Sequence, residues 1–329
     1  SRKSIACAKS HFIVVHDLNM SRKQIATQDS ILPFQIEPYY LRGRFVRLSH
    51  VSKAILRRHQ YPDCVAKLIT EMLILAPCLS SSLKYDGVFT LQVSGQDPIK
   101  TLLVDVTSNG ALRAYAAYDP EKINSNSTDE PLQKLTGGGY IAFTVDQGKN
   151  EDRYQGIVEL NKNSLADCVH DYFRNSEQIE TIVNLSVEKS FSGAWHGAAI
   201  IIQKEAFPGG KQLPIGATQE DYEEAWRNAA IMLASCTKTE LLDTAEKPNE
   251  LLYKLFHETG VRIYPKKFLK DECRCSIEKI ENMLLSLNAD ERQDLKVDGK
   301  ITVTCEFCKV EHTYDEHRLE KLLLTRNDH

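Results

Sequence analysis

Long hydrophobic runs are scarce in this 329-residue chain, and their scarcity excludes a spanning helix. The most apolar stretch, LITEMLILAPCL, carries Glu71, is broken by Pro77 and is too short to cross a bilayer. A basic excess is missing too. Lys and Arg number 41 against 45 Asp and Glu, for a formal net charge of −4, so there is no general field of the kind nucleic-acid binding needs. A secretory signal is also lacking, because Lys9 and His11 interrupt any apolar core near the N-terminus. Cysteine is used sparingly: nine residues, an odd number that argues against a static disulfide framework and for a reducing, cytoplasmic setting. Neither nucleic acid nor membrane is expected as a partner.

What is present reads as an α+β protein. Residues 1–28 read as a poorly ordered extension. An organelle-targeting remnant and an extension ahead of a start at Met20 are the alternatives. From residue 29 to about 215 a core is expected. ILPFQIEPYYLRGRFVRLS is extended, with Pro33 and Pro38 as breakers, and Ser49 caps a helix. Pro62 leads into DCVAKLITEMLILAPCLSSSL, apolar enough to be buried on most sides. VFTLQVSG, IKTLLVDVTSNG and ALRAYAAY alternate and turn at Gly95 and Asn109-Gly110, the pattern of an antiparallel meander. Gly137-Gly138-Gly139 reads as a turn rather than a phosphate loop, since a strand follows and no Gly-Lys-Ser/Thr does.

Residues 216–269 read as a helical linker. Tyr222, Trp226, Ala229, Ala230 and Leu233 share one face behind a Thr218-x-x-Asp221 start, and Thr237-x-x-Glu240 and Pro248 open two further short helices. Trp226 and the Leu/Phe residues of 249–257 read as core or interface residues of the folded state; the alternative is an apolar binding face exposed once they undock.

Residues 270–329 form a small C-terminal unit holding the remaining chemistry. Cys273 and Cys275 stand one residue apart in DECRCS; after 29 intervening residues (276–304) come Cys305 and Cys308 in CEFC. A CxxC at a hairpin tip aims both thiolates into one hollow, the usual half-site of a tetrahedral zinc. In an extended loop, residues i and i+2 lie on one side and can supply the other half. One structural or regulatory Zn2+ is therefore expected on Cys273, Cys275, Cys305 and Cys308. His312 is a weaker candidate, because four thiolates saturate the metal. Cys64, Cys78 and Cys168 sit in apolar helical patterns and read as packing residues. On oxidation CxxC closes a disulfide readily, whereas CxC closes only a strained, easily reduced ring.

The cysteine arrangement, together with RGRFVRLS, HQYPDCVAKLITEMLIL, LKYDGVFTLQVSG, LRAYA, RYQGIVEL, SLADCVHDYFRNSEQIET and ITVTCEFCKVEHTYD, resembles the heat shock protein 33 family over roughly residues 30–329. The resemblance implies an α+β core, a helical linker and a zinc-bound C-terminal redox switch. It implies an ATP-independent holdase, not an enzyme, inactive when reduced and zinc-bound. On oxidation zinc leaves, Cys273–Cys275 and Cys305–Cys308 pair by position, switch and linker lose structure, and the protein binds unfolding clients, commonly as a homodimer. Two features depart from the family: WHGAAIIIQKEAFPGG replaces a usual Gly-Gly pair before a strand, and residues 1–28 have no counterpart.

Two other readings compete. A zinc-ribbon nucleic-acid module predicts a basic stripe or stacking platform, where this C-terminal region is rich in Glu and Asp. A thiol–disulfide oxidoreductase predicts a CxxC at a helix N-terminus, whereas CEFC follows a strand.

Overall fold

The computed structural model describes residues 29–83, 85–123, 129–148, 154–204 and 216–326. The N-terminal extension, with Cys7, lies outside them. Strands β1 (Ser30–Ile36) and β2 (Leu41–Leu48) pair antiparallel from Ser30↔Arg47 to Ile36↔Leu41. Contrary to its reading as a breaker, Pro33 lies within β1. Its carbonyl accepts from the Tyr264 N–H at 3.0 Å. In an antiparallel ladder a residue's N and O point to the same side, so the missing N–H faces away from β2 and leaves the β1–β2 ladder intact. Gly43 on β2 is required by proximity: a Cβ there would sit 2.0 Å from the Phe34 ring.

Helix α1 (His50–Arg57) follows Ser49 as expected, but the cap comes from elsewhere. Ser49 makes no side-chain cap; the Asp29 carboxylate accepts from the amides of Ser49 (2.8 Å), His50 (3.2 Å) and Val51 (2.5 Å). A carboxylate at a helix N-terminus satisfies orphan donors and meets the positive end of the dipole. Helix α2 (Asp63–Ser80) is buried on nearly every side and continues one turn beyond Pro77, where the sequence suggested a break. A proline so near the end costs one hydrogen bond, and burial from Met72 through Ser80 offsets it.

The meander follows as β3 (Val88–Gly95), β4 (Ile99–Thr107) and β5 (Ala111–Tyr118), with Gly110 at φ 85° in the β4–β5 turn. After the short helix α3 (Leu132–Thr136), β6 (Gly139–Asp146) and β7 (Tyr154–Glu159) extend the same sheet. The glycine triplet is the expected turn: Gly137 ends α3 at φ 64°, and a Cβ on Gly139 would meet the Ser94 carbonyl at 2.0 Å. Helix α4 (Leu165–Tyr172), capped by Ser164, runs into a π-helical turn at Phe173–Glu177 and precedes β8 (Glu180–Lys189) and β9 (Trp195–Lys204). The strand expected in WHGAAIIIQK is thus present.

Three helices come next: α5 (Gln219–Ser235), α6 (Lys238–Leu242) and α7 (Pro248–Phe256), the first two opened by the expected capping boxes. Short strands β10 (Val261–Ile263), β11 (Lys267–Phe268) and β12 (Lys270–Asp271) lead to α8 (Ile277–Ser286), α9 (Ala289–Asp294), the hairpin β13 (Ile301–Thr304) and β14 (Glu311–Tyr314), and α10 (Glu316–Arg326).

One sheet runs β10-β1-β2-β9-β8, with β11 also on β1; the other runs β12-β5-β4-β3-β6-β7. Helix α2 packs against both, and its Leu73 and Leu75 join Val46, Val104 and Ile201 in the main core. The outer face of the first sheet (Phe34, Phe45, Ile200, Ile202) is covered by Tyr222, Trp226, Leu233, Leu251 and Phe256 of the three helices. Polar side chains of the sheet clasp carbonyls of the helices and their joining loops. Arg47 donates to Leu241 O (3.2 Å) and Glu246 O (2.9 Å), and Asn184 to Leu233 O (3.1 Å) and Cys236 O (2.9 Å). The architecture is the expected α+β, antiparallel throughout except where β12 lies parallel on β5.

Candidate metal centre

The hairpin β13–β14 brings Cys305 and Cys308 into its turn. Cys305 N donates to Val310 O at 3.0 Å and Lys309 N to Cys305 O at 2.9 Å, with Lys309 in the left-handed region at φ 58°. Cys273 and Cys275 lie in extended chain between β12 and α8, whose first turn is capped by Ser276 Oγ accepting from Lys279 N. The two halves meet. Sγ of Cys273 is 3.7 Å from Sγ of Cys305, Sγ of Cys275 is 3.4 Å from Sγ of Cys308, and all four sulfurs lie within 4.8 Å of one another.

A tetrahedron of sulfurs around zinc at ~2.3 Å has edges of ~3.8 Å, so four soft donors at this spacing fit such an ion. The 3.7 and 3.4 Å approaches run between loop and hairpin, and a shared metal would use that arrangement to staple one to the other. Burial raises the Cys273 thiol, but the Cys275 amide and the three neighbouring sulfurs outweigh it and bring it down to about 7. Burial and the contacts of Cys275 with Cys308 and Cys273 push Cys275 up. His312 is not in the cluster; it sits in β14 opposite Val303.

The loop is seated on the larger body by groups that the cysteine spacing does not reveal. Arg58 at the end of α1 forks onto Asp271 at 2.5 and 2.8 Å. Arg274, between the first two cysteines, reaches the buried Asp105 at 2.6 Å; Asp105 also takes Arg113 at 2.7 Å and the Thr90 hydroxyl at 2.6 Å. Phe307, between the other two cysteines, lies under the Arg113 guanidinium at 3.8 Å and edge-on to Tyr115 at 4.9 Å. His59 donates from Nε2 to the Phe307 carbonyl at 3.0 Å, and burial holds its ring below the usual histidine range. The residue between each cysteine pair thus does the docking. Only the presence of Arg274 and Phe307 in otherwise small motifs hints at this in sequence.

The remaining described cysteines behave as packing residues. Cys64, Cys78, Cys168 and Cys236 are buried, and burial pushes Cys78 to about 12 and Cys168 and Cys236 to about 11. Trp226, Leu251, Leu252, Leu255 and Phe256 are buried against the first sheet, as folded-state interface residues. No helix among the described residues is long and apolar enough to cross a membrane.

Comparison with known proteins agrees with this geometry. The family model described as Hsp33 protein matches residues 29–315. The chain belongs to the Hsp33 family. Among its relatives, a protein named 33 kDa chaperonin from Caulobacter vibrioides (strain NA1000 / CB15N) is 39% identical over 287 residues, covering 85% of this chain and 92% of that one. A 33 kDa chaperonin of Histophilus somni (strain 2336) is 32% identical over 297 residues, covering 89% and 97%. The crystal structure of the 33 kDa chaperonin (heat shock protein 33 homolog) from Thermotoga maritima superposes with a TM-score of 0.74 at 23% identity, over 92% of this chain and all of that one, which establishes a shared fold. This Hsp33-family chain is therefore a chaperone-family member carrying a four-cysteine cluster able to hold a metal ion. Of the two departures noted in sequence, Gly197 is tightly packed, with a Cβ there 2.5 Å from Ile74, while residues 1–28 and 205–215 lie outside the described residues.

Proposed function

We propose that this protein is a redox-regulated, ATP-independent holdase. Residues 29–215 serve as the chaperone core, 216–269 as a helical linker and 270–329 as the switch. Cys273, Cys275, Cys305 and Cys308 hold one Zn2+ in the reduced, inactive state. When bound, the ion keeps the four sulfurs as thiolates and ties loop to hairpin. The observation that carries this reading is the convergence of four sulfurs, from two halves distant in sequence, at the spacing a tetrahedral ion needs.

Activation follows from thiol chemistry. A peroxide takes two electrons from each cysteine pair, an S–S bond forms, and with two protons the peroxide leaves as two waters. Sulfur in a disulfide no longer ligates strongly, so oxidation removes the donors that join loop to hairpin. The pairing that the family resemblance implies is Cys273–Cys275 and Cys305–Cys308, between neighbours in sequence that stay close once loop and hairpin part. Loss of the switch loosens the linker and uncovers the apolar outer face of the first sheet, which then holds unfolding clients, with the oxidised protein a homodimer in the cytoplasm.

The test is to measure bound zinc, free thiols and aggregation of an unfolding client before and after peroxide with mild heating. Zinc should leave, four thiols should be lost and aggregation should fall. Retained zinc after oxidation, or unchanged aggregation, overturns the proposal.

A further inference from the structure

Residues 261–272 join the three helices to the cysteine loop by crossing two sheets as a strap. β10 lies antiparallel on β1 over Phe34–Ile36, β11 on the same strand at Ser30 and Ile31, and β12 runs parallel to β5 at Ala111 and Leu112. Main-chain bonds carry the attachment. Glu37 N donates to Gly260 O (2.9 Å), Tyr264 N to Pro33 O (3.0 Å), Leu269 N to Asp29 O (2.9 Å), Lys270 N to Gly110 O (3.0 Å) and Glu272 N to Leu112 O (3.2 Å). Side chains contribute little: Ile263, Tyr264 and Phe268 are 37, 39 and 50% exposed, and Leu269 is the buried anchor.

A hold made of N–H and C=O groups is nearly indifferent to sequence, since every residue but proline offers both. Without the strap, β1 would present a row of unpaired donors and acceptors and β5 would lose its partner at Ala111 and Leu112, together a template for another extended chain. The placement of Pro33, with its missing donor on that side of β1, is the kind found on edge strands.

The geometry points to the outer edge of β1 and the first residues of β5 as a docking site for an extended segment of an unfolding protein, filled by the strap in the resting molecule and vacated when the cysteine loop lets go. This rests on the proposed redox function, because the strap's last strand, β12, ends at Asp271, which Arg58 holds beside the cysteine loop. The strap's own chemistry indicates the partner. VRIYPKKFLKD mixes apolar and aromatic residues with basic ones. Arg262 meets Glu37 at 3.0 Å, and a cavity of about 310 Å³ elsewhere is not involved, whereas one of about 230 Å³ borders Phe268 beside Tyr85 and Asn109. The preferred segment is extended, aromatic and basic, with room for one large side chain at that cavity.

The test uses the full chain, reduced and metal-loaded or oxidised by peroxide, with a labelled peptide of residues 261–271. Amide exchange at Tyr264 and Leu269 reports the strap, fluorescence anisotropy reports the peptide, and client aggregation is followed separately. Oxidation should free both amides, peptide should bind the oxidised form alone, and excess peptide should displace bound client. N-methylation of the peptide at Tyr264 and Leu269, which removes the two donors, should abolish binding. Amides that stay protected after oxidation, or freed amides with no peptide binding, overturn the inference. A doubling of mass that the peptide reverses without displacing client assigns the edges to a second copy and overturns the client assignment. Peptide binding with unchanged client aggregation retires the holdase reading and keeps the edges as a site for extended segments.

Discussion

The main core and the C-terminal unit solve the same problem with very different means. In the core, α2 is enclosed between two sheets, and Leu73, Ile74 and Leu75 have no solvent exposure. Among the described residues the C-terminal unit buries five, Ile280, Leu284, Ile301, Tyr314 and Leu319, and there the Tyr314 hydroxyl has no hydrogen-bond partner. An unpartnered buried hydroxyl costs about 1–3 kcal/mol, a heavy charge on so small a core. The lesson is that burial can hold the first region by itself, whereas on the proposed reading the second relies on a metal joining its sulfurs. Under that proposal, stability that comes through four oxidisable atoms can be dismantled by chemistry that leaves the rest intact.

The comparison is broken most directly at the sulfurs. Chelating the metal, or Cys305→Ser, should remove a binding term of roughly 10 kcal/mol or more. Amide protection in β13, β14 and α8 should vanish while that of α2 persists, as read by hydrogen exchange. Simultaneous loss in α2 would mean that the two regions are one cooperative unit. Next in size is truncation of matched leucines. Leu73→Ala should cost about 2–5 kcal/mol in global urea unfolding, while Leu284→Ala should shift only an early C-terminal transition and speed metal loss to a chelator.

The seat between the regions comes third. Arg274→Ala removes a charged hydrogen bond that is partly exposed, worth about 1–2 kcal/mol; peroxide should then release metal several-fold faster, with core unfolding unchanged. Asp105→Asn should do more, because Arg113 and Arg274 both lose their carboxylate. The smallest effect concerns pH. Burial raises the Glu71 carboxyl from 4.5 to about 7, against a weaker lowering by Lys67. A raised acid holds its proton more tightly when folded, so its stabilisation is full below 4.5 and fades as pH rises to about 7. Glu71→Gln should therefore be neutral at pH 4 and stabilising by about 1–3 kcal/mol at pH 8, measured by thermal unfolding. The C-terminal transition of metal-loaded protein should not move with it.

Much of this was legible in sequence because the signals were local. Alternation located the meander, Thr218-x-x-Asp221 and Thr237-x-x-Glu240 located helix starts, and CxC with CxxC located the sulfur cluster. The errors were equally local in origin. Pro33 and Pro77 looked like breakers because their neighbours in space were unknown, and Ser49 looked like a cap because Asp29, twenty residues earlier, could not be seen to reach it. The seat of the metal loop was illegible for the same reason, since Asp105, Arg113 and Tyr115 are ordinary strand residues until Arg274 and Phe307 arrive beside them.

The sequence by itself determined the element types, the apolar faces and the four soft donors, since these depend on periodicity and side-chain chemistry within a few residues. Only the tertiary structure decided which sulfurs approach each other, where Pro33 can be tolerated, and that residues 261–272 lie as a strap along two sheet edges. Those depend on contacts between segments far apart in the chain, which periodicity does not encode.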